Sequence, residues 1–250
     1  MQIFVISLSS DYERRKKLES QFLLSYNSFS IVNACNLDDV NVIEHTINIG
    51  KSRVPVNRVE VACALSHMKI YKKMASENIK YCLIFEDDVI GSDQDINKVV
   101  EIYKKLPKNS ILLAGGMDGI KFKKYLYGKE IFTNVYQINP LYYQFLVRAC
   151  CYVIPLDLAK KILRMQENCL IRADEWGEFL MKENNVFVSP IFHHPLDLTN
   201  SHIEKFRRKE LNSVFQRLLQ EGIIFTFLRV IQRGFLRILA KLKGLDSIFK

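Results

Sequence analysis

Short apolar runs alternate with amphipathic segments along the first 200 residues of the chain. Continuous apolar runs of four to eight residues predict buried strands, and apolar residues spaced three or four apart predict helices. The predicted strands are 3–8, 30–34, 80–89, 110–114 and 186–191, and the predicted helices are 12–26, 59–78 and 95–106. Strands that alternate with helices indicate an α/β layered fold with a mostly parallel central sheet.

Two finer predictions follow from the same pattern. Leu18, Phe22 and Leu23 are spaced to form the inward face of the first helix,. Residues 36–58 are polar and irregular and contain Pro55, so they are predicted to form a surface loop,. In an open α/β sheet the ligand crevice lies beyond the carboxyl ends of the strands. Polar residues that follow strands are therefore the candidates for chemistry.

The end of the chain has a different periodicity. Apolar residues repeat at alternating steps of four and three at Ile224, Leu228, Ile231, Phe235, Ile238, Leu242 and Leu245. A separate basic row consists of Arg229, Arg233, Arg237 and Lys241. Such a basic amphipathic helix is typical of segments that lie on an anionic membrane, and the alternative is a helix packed on the core with its basic face in water. Glycines at 222, 234 and 244 predict breaks in this helix,.

Charge separates the same tail from the rest of the chain. The net charge is +9, and residues 201–250 carry 11 Lys and Arg against 4 Asp and Glu. We therefore divide the chain into a domain of residues 1–200 and a basic, amphipathic C-terminal region of residues 201–250. No basic face interleaved with aromatic residues occurs in the first region, so nucleic acid is not an expected partner.

Cysteine usage and hydropathy indicate a cellular compartment. The six cysteines include no Cys-x-x-Cys pair and lie mostly among apolar neighbours, which is typical of reduced thiols rather than disulfides or a zinc site,. The first residues enter a strand directly, without the pattern of a signal peptide. No stretch reaches the roughly 18 apolar residues that a membrane-spanning helix needs. We expect a soluble or peripheral cytoplasmic protein.

The most informative feature is a cluster of three carboxylates at the end of a predicted strand. Glu86, Asp87 and Asp88 follow the apolar run 81–85 directly. Adjacent like charges at the end of a buried strand require compensation by a divalent cation, a basic neighbour or water. Mg²⁺ and Mn²⁺ prefer oxygen ligands and commonly bind substrate phosphates as well. The alternative interpretation is a solvated acidic turn.

The turn after the first strand is a second candidate. Ser7 and Leu8 end that strand, and Arg14 and Arg15 lie in the first turn of the following helix. Backbone N–H groups and hydroxyls at a helix N-terminus bind anions, and an arginine adds charge. An ordinary capped helix with solvated arginines is the alternative.

The predicted helix 59–78 contributes a third candidate. Glu60 and His67 are seven residues apart and share one helical face, and Ser66 adjoins them,. A single histidine in an apolar helix is more often structural than a ligand or a base.

Two later segments also carry polar groups. Asp174 and Glu175 adjoin the only tryptophan, Trp176, and an aromatic face beside carboxylates suits a sugar ring,. The alternative is a helix N-terminus with Asp174 as its cap. His193 and His194 follow the last predicted strand, where adjacent side chains point to opposite faces, so at most one of them binds a metal there,.

Taken together, the segments 4–15, 59–67 and 84–89 resemble glycosyltransferase family 25, the bacterial lipopolysaccharide and lipooligosaccharide glycosyltransferases. The resemblance extends over residues 1–195 and includes the stretch 152–159 and the Asp174 region. It implies a GT-A-like, Rossmann-related fold. It also implies an enzyme that inverts the anomeric centre of a hexose taken from a UDP-sugar, with Mn²⁺ or Mg²⁺ as cofactor.

The resemblance also implies roles for particular residues. Metal ligands are Asp88, Glu86 and His194. The general base is Asp174, with Glu175 as second candidate. The residues that the resemblance implies for binding the nucleotide sugar are Ser7, Leu8, Arg14, Arg15, Ser66, His67, Glu86 and Asp87.

Partners and location follow from the same resemblance. The implied acceptor is a lipid-linked oligosaccharide, and the implied location is the cytoplasmic face of the bacterial inner membrane, with the tail on the anionic surface. The chain departs from the family at residues 113–119, and at residues 148–151, where Arg148 and Cys151 replace two glycines.

The donor sugar therefore remains open. Galactose is the first candidate, and glucose and N-acetylhexosamine are the alternatives. More distant alternatives are a nucleotidyltransferase, which usually has a glycine-rich loop near its N-terminus that residues 7–15 lack, and a non-enzymatic membrane-binding module.

Overall fold

A nine-stranded sheet forms the centre of the computed structural model, which describes residues 1–43, 48–49, 56–196 and 223–248. The strands are β1 (Gln2–Ser7), β2 (Ser30–Asn33), β3 (Tyr81–Glu86), β4 (Ile111–Gly115), β5 (Tyr127–Phe132), β6 (Val135–Ile138), β7 (Cys151–Pro155), β8 (Val186–Phe192) and β9 (Asp246–Ser247). Their order across the sheet is β2-β1-β3-β7-β4-β8-β6-β5-β9.

Helices connect most of these strands. They are α1 (Tyr12–Gln21), α2 (Leu37–Ile43), α3 (Arg58–Ser76), α4 (Asp93–Lys105), α5 (Leu156–Asn168), α6 (Trp176–Phe179) and α7 (Ile223–Leu242). Short 3₁₀ turns occupy Tyr26–Ser28, Lys121–Tyr125 and Pro140–Phe145. The mixed α/β fold with a large sheet agrees with the prediction of an α/β layered protein.

The prediction of a mostly parallel sheet is wrong. The strands β2, β1 and β3 run parallel, as do β4 and β8. The strand β7 lies between β3 and β4 and is antiparallel to both, and β6, β5 and β9 extend the sheet with antiparallel pairs. The sheet is mixed because residues 116–155 return to its centre in the opposite direction.

Both faces of the sheet are buried. Along β1, Ile3 and Val5 belong to one hydrophobic cluster, whereas Phe4 and Ile6 belong to the other. Alternate residues of a strand point to opposite faces, so each face must be covered. The helices α1 and α4 contribute to the first cluster, and α3 and α5, which pack against each other, contribute to the second.

The first helix is shorter than the prediction of 12–26. Leu18 and Phe22 are fully buried, as predicted, but Leu23 is 72% exposed, which corrects its assignment to the inward face. The helix ends because the backbone N–H groups of residues 24 and 25 donate hydrogen bonds to the Asp93 carboxylate.

The predicted loop 36–58 is also corrected in part, because it contains α2. Its continuation at 44–47 and 50–55 lies outside the described residues. The chain then enters α3 through a capping box, in which Glu60 N–H donates to Asn57 Oδ1 over 2.9 Å and Asn57 N–H donates to Glu60 Oε2 over 3.1 Å. This box fixes the start of α3 and the position of the Glu60 carboxylate.

The predicted amphipathic helix of the tail corresponds to α7. Gly234 does not interrupt this helix, contrary to the prediction, whereas Gly244 follows its end with φ +62°. One face packs on the protein: Leu236 and Ala240 are buried, and Tyr142 O–H donates to the Leu236 carbonyl over 2.8 Å. The predicted boundary near residue 200 lies outside the described residues.

No helix among residues 1–43, 56–196 and 223–248 is long and apolar enough to cross a membrane.

Candidate active site

A cavity of ≈ 240 Å³ opens at the carboxyl ends of the parallel strands β1 and β3. These strands are neighbours in register, with Ile6 beside Glu86, so the turn after each strand meets the other at one edge,. The cavity is lined by residues 6–8, Asp11, Arg14, Ala34, Cys35, Val59, Glu60, Ala62, Cys63, Ser66, residues 86–88, residues 148–150, residues 172–174 and His194. The predicted edge of the sheet is therefore the site of the cavity.

The three adjacent carboxylates turn to different partners. Arg14 Nη1 donates to Asp87 Oδ1 over 2.8 Å. Glu86 Oε1 lies 3.4 Å from His67 Nε2, and Asp88 Oδ2 lies 3.5 Å from His194 Nε2. Because β3 ends at Glu86, the backbone turns at this point and spreads the three side chains apart. Basic neighbours therefore compensate part of the negative charge.

The surroundings of the three carboxyl groups also shift their pKa values in different directions. Burial raises the pKa of the Asp88 carboxyl, and the charge of Glu86 raises it further. Burial likewise raises the pKa of Asp87, although the hydrogen bond and charge of Arg14 oppose this. Burial acts in the same direction on Glu86, but the hydrogen bond from His67 and nearby positive charges outweigh it, so the pKa of Glu86 is lowered. A further cation would therefore stabilise the ionised form of Asp88.

Asp88 also has an acceptor atom without a partner. Its Oδ1 is buried and accepts no hydrogen bond within the described part of the chain. Such an oxygen is unfavourable unless a donor or cation reaches it. Carboxylate oxygens are the ligands that Mg²⁺ and Mn²⁺ prefer, and Mn²⁺ also accepts imidazole. Asp88 and His194, whose Oδ2 and Nε2 atoms lie 3.5 Å apart, therefore offer an oxygen and a nitrogen ligand to a divalent metal. Within the described residues, the ligand atoms of Asp88, Glu86 and His194 do not all lie within 4.8 Å of one another.

A second group in the same cavity has the ligand types of a softer metal. Ligand atoms of Cys63, His67 and Glu86 all lie within 4.8 Å of one another. Thiolate and imidazole together suit Zn²⁺. Burial and the charge of Glu86 raise the pKa of the Cys63 thiol, however, so its thiolate is disfavoured. The Cys63 thiol is therefore a poor ligand in this group.

His67 lies behind the cavity wall rather than in it. It is 1% exposed, and its Nδ1 is 2.8 Å from the Tyr152 hydroxyl, which is 2.7 Å from the Tyr71 hydroxyl. Ser66 does line the cavity, and its hydroxyl accepts a hydrogen bond from Cys35 N–H. Of the predicted pair, Ser66 faces the cavity and His67 orients Glu86.

The residues of the turn after β1 also differ in whether they line the cavity. Ser7, Leu8 and Arg14 line the cavity, as predicted for a binding segment. Arg15 does not, because its guanidinium donates to Ser7 Oγ over 3.3 Å and to the carbonyl oxygens of Leu8 and Ser9. Arg15 therefore holds the shape of the turn.

Asp174 lines the cavity, whereas the other candidate base, Glu175, is buried beside it. Asp174 Oδ1 lies 2.9 Å from Arg172 Nη2, and Glu175 Oε1 lies 3.9 Å from Arg172 Nη1. Trp176 is completely buried, and its Nε1–H donates to the Arg148 carbonyl. The suggested stacking of a sugar on Trp176 is therefore wrong, because no face of the indole reaches the cavity.

The histidines after β8 differ in exposure, as the alternation of a strand predicts. His194 is buried and adjoins Asp88, whereas the side chain of His193 is 60% exposed and lies 3.3 Å from Asp118 Oδ1. His194 N–H donates to Asp118 Oδ2, which fixes the backbone beside the cavity.

Among the polar residues of the cavity, Arg172 and Arg148 were not predicted as site residues. Arg172 Nε lies 3.3 Å from Glu60 Oε1, although without hydrogen-bond geometry. Arg148 lines the cavity with a positive φ of 71°. The sequence held one usable signal, since Arg172 lies two residues before Asp174, the first of the two predicted acids.

Comparisons with known proteins identify relatives of this chain. The model of the family "Glycosyltransferase family 25 (LPS biosynthesis protein)" matches residues 1–177. Lipooligosaccharide biosynthesis protein lic2B of Haemophilus influenzae is 33% identical over 96 residues, which cover 37% of this chain and 35% of that protein. Lipooligosaccharide biosynthesis protein lex-1 of the same species is 32% identical over 111 residues, covering 34% and 36% of the two chains.

A relative from another genus has about the same sequence identity to this chain. The lacto-N-neotetraose biosynthesis glycosyltransferase LgtE of Neisseria meningitidis serogroup B is 32% identical over 99 residues, which cover 38% of this chain and 35% of that protein. The chain thus spans about a third of the length of the curated relatives that it matches.

Proposed function

The chain belongs to glycosyltransferase family 25, and we propose that it transfers a hexose from a UDP-sugar to a lipooligosaccharide acceptor with the help of a divalent metal. The observation that carries this proposal is the acidic edge of the cavity, where the buried Oδ1 of Asp88 lacks a partner within the described residues. The family relation supplies the reaction class, and this edge supplies the place where a nucleotide diphosphate and its cation would bind.

The N-terminal half of the fold supports a nucleotide at this position. The parallel strands β2, β1 and β3, with α1 between the first two in sequence, form the Rossmann-related part of a GT-A-like architecture. Ligands of such sheets bind beyond the strand carboxyl ends. Ser7, Leu8 and Arg14 line the cavity at this edge, with Ser66 on the adjoining wall, and we assign them to the uridine and phosphate portion of the donor.

The metal would be held by Asp88, Glu86 and His194. Once bound, a divalent ion neutralises the negative charge of the departing diphosphate. The residues of this chain prepare the site: His67 orients Glu86, and Arg14 pairs with Asp87 at 2.8 Å and lies 3.7 Å from Asp88 Oδ2. We assign Asp87 to positioning because its carboxylate faces Arg14.

Inversion of the anomeric centre needs a general base on the acceptor side. In this reaction the bond from the anomeric carbon to the diphosphate oxygen breaks, and its electrons leave with UDP. The acceptor hydroxyl oxygen bonds to the same carbon and loses its proton to the base. Asp174 is the first candidate because it lines the cavity, and Glu175 is the second. A carboxylate offers about four acceptor directions, so its contacts with Arg148 N–H and Arg172 leave room for a hydroxyl,.

The acceptor and the location belong to the same proposal. Two relatives are named for lipooligosaccharide biosynthesis, which supports an oligosaccharide acceptor on a lipid. The helix α7 presents an exposed apolar stripe, defined by Ile231, Phe235, Ile238 and Leu242, with Arg237 and Lys241 beside it. An apolar stripe with basic flanks complements an anionic membrane surface. We propose the cytoplasmic face of the inner membrane, where UDP-sugars and lipid-linked acceptors meet.

The test is metal-dependent turnover with a panel of UDP-sugars. We expect hydrolysis or transfer with UDP-galactose, UDP-glucose or UDP-N-acetylhexosamine in Mn²⁺, and loss of activity with EDTA. The variant Asp88→Asn should lower turnover by about 100-fold or more, since it removes a charge that stabilises the leaving group. Glu101→Gln on α4, at a side chain that is 61% exposed, is the control and should behave as the wild type.

Other outcomes would select the alternatives. Full activity of Asp88→Asn, or activity that persists in EDTA, would refute the metal assignment. Release of pyrophosphate from a nucleoside triphosphate and a sugar phosphate would identify a nucleotidyltransferase. A protein that neither turns over nor gains thermal stability with UDP and Mn²⁺ would be a binding module.

A further inference from the structure

Arg148 has an unusual backbone conformation at the cavity wall. Its φ is +71°, in the left-handed region where a side chain with a Cβ is disfavoured and glycine is not,. The other non-glycine residues with positive φ among the described residues are all asparagines: Asn78, Asn109 and Asn134. Asparagine tolerates this region better than arginine does. Arg148 therefore costs free energy that a glycine at this position would not.

Buried groups fix this conformation from both sides. Arg148 N–H donates to Asp174 Oδ2 over 3.1 Å, and the Arg148 carbonyl accepts a hydrogen bond of 2.8 Å from Trp176 Nε1. The next residues, Ala149 and Cys150, are buried. These contacts involve the backbone of Arg148 and would serve any residue at this position. The side chain is therefore not needed to hold the turn.

The guanidinium of Arg148 differs from the other arginines around the cavity. Arg14 pairs with Asp87, and Arg172 with Asp174 and Glu60. Arg15 donates to carbonyl oxygens of the turn after β1. For Arg148, which lines the cavity, no hydrogen bond or ion pair of the guanidinium occurs within residues 1–43, 48–49, 56–196 and 223–248, and its charge acts at longer range on Glu86.

We propose that Arg148 binds the diphosphate of the sugar-nucleotide donor, and this inference rests on the proposed function. An unpaired guanidinium in a cavity is suited to phosphate because its planar N–H groups match phosphate oxygens in pairs. Its position beside the acidic edge lets it share the diphosphate with a metal at Asp88. The strained backbone is thus retained for ligand binding, as strain at functional sites commonly is.

The test compares ligand affinity with stability in the same variants of the full chain. Arg148→Gly removes the guanidinium and relieves the backbone, and Arg148→Lys keeps the charge but loses the planar fork. Binding of UDP, UMP and inorganic pyrophosphate is measured by calorimetry with Mn²⁺, and unfolding by urea. Asn109→Gly, at an exposed turn with φ +60°, is the matched backbone control.

We expect Arg148→Gly to bind UDP about 10- to 100-fold more weakly, the range for loss of a charge-assisted hydrogen bond. The affinity for UMP, which lacks the second phosphate, should fall less than the affinity for UDP. Arg148→Lys should bind UDP with an affinity between those of the wild type and Arg148→Gly. The urea midpoint of Arg148→Gly should equal or exceed that of the wild type. Asn109→Gly should leave the affinity for UDP unchanged.

Each contrary result has a distinct meaning. If Arg148→Gly binds UDP as the wild type does, the inference is overturned while the proposed function stands. If only the KM for the acceptor rises, the guanidinium serves an anionic acceptor group rather than the donor. If Arg148→Gly is less stable than the wild type, the side chain is structural. If the wild type binds pyrophosphate but not UDP, the proposed function fails and the assignment of Arg148 to an anion site stands. If the wild type binds neither ligand, the proposed function and the inference about Arg148 both fail.

Discussion

Arg172 is the cation that the buried carboxylates beside the cavity share. Its side chain is 13% exposed and lies within 4 Å of Glu60, Asp174 and Glu175. Removal of one member of a buried ionic group leaves the others uncompensated. We expect Arg172→Met, which keeps most of the side-chain volume, to lower the free energy of unfolding by about 3–5 kcal/mol. Urea denaturation measures this loss.

An exposed ion pair provides the control for that variant. Lys104 Nζ lies 2.8 Å from Glu101 Oε1, and both side chains are more than 60% exposed. Lys104→Met should leave the unfolding midpoint unchanged, because exposed pairs contribute little. The double variant Arg172→Met with Glu60→Gln should recover part of the loss, since it also removes a buried charge. An Arg172→Met protein as stable as the wild type would show that the network is not stabilising.

Residue patterns predicted one part of this site and missed another. The meeting of Ser7 with the acidic cluster follows from two parallel strands that end at the same edge, which periodicity can predict. The pairing of Glu60 with Arg172 joins α3 to a loop after α5 across more than 100 residues. It depends on how the two helices pack, which a single sequence does not encode locally. The burial of Trp176 was missed for the same reason.

At the scale of elements, the Asp93 carboxylate ties α4 to the end of α1. It accepts hydrogen bonds from Leu24 N–H over 3.0 Å and Ser25 N–H over 2.9 Å. Burial is the largest single influence and opposes ionisation, but the hydrogen bonds from Ser25 and Leu24 together outweigh it and lower the pKa of Asp93. We expect Asp93→Asn to lower the free energy of unfolding by about 1 kcal/mol at pH 7, a modest value because the group is near the surface.

The pH dependence of this loss has a definite sign. A carboxyl whose folded-state pKa is lowered stabilises the fold at pH values above its unfolded pKa, which is about 3.9 for aspartate. That contribution disappears as the pH falls through the lower, folded-state pKa. The stability difference between the wild type and Asp93→Asn, measured by urea denaturation from pH 7 to pH 3, should therefore shrink below about pH 4. A difference that is constant over this range would contradict the role of the charge.

Element prediction was limited by strand order rather than by strand detection. The strands β1, β3, β4 and β8 were predicted within two or three residues because their apolar runs are continuous. A strand buried on both faces has such a run whether its neighbours are parallel or antiparallel. The insertion of β7 between β3 and β4 is decided by the path of residues 116–155, so the parallel assignment was wrong although the strands were right.

At the scale of the whole molecule, α7 shows why the tail was hard to interpret. Its periodicity predicted one apolar stripe, but the helix has two apolar faces. Leu236 and Ala240 are buried on the protein, while Arg233 and Arg237 lie over the Tyr125 ring at 5.5 and 5.7 Å. The exposed apolar stripe remains in water on the opposite side. Packing on the core is therefore found for one face of this helix, and contact with a membrane stays a prediction for the other.

This arrangement determines how membrane contact should be tested. Deletion of α7 would also uncover the core around Tyr142, so substitutions in the exposed apolar stripe are the cleaner change. We expect the double variant Phe235→Ser and Ile238→Ser to bind anionic vesicles at least about 10-fold more weakly in a sedimentation assay, because two large apolar side chains no longer enter the interface. Turnover with a soluble acceptor should be unchanged.

The double variant Leu23→Ser and Leu24→Ser is the matched control for this measurement. These leucines are 72% and 86% exposed, so the change removes similar apolar area from another surface. If the apolar stripe of α7 docks on the membrane, this control binds vesicles as the wild type does. Equal losses in both variants would indicate nonspecific adsorption instead. If the wild type and both double variants bind vesicles equally well, the basic residues are the source of the attraction to the membrane. Higher salt would then release all three proteins from the vesicles to the same extent.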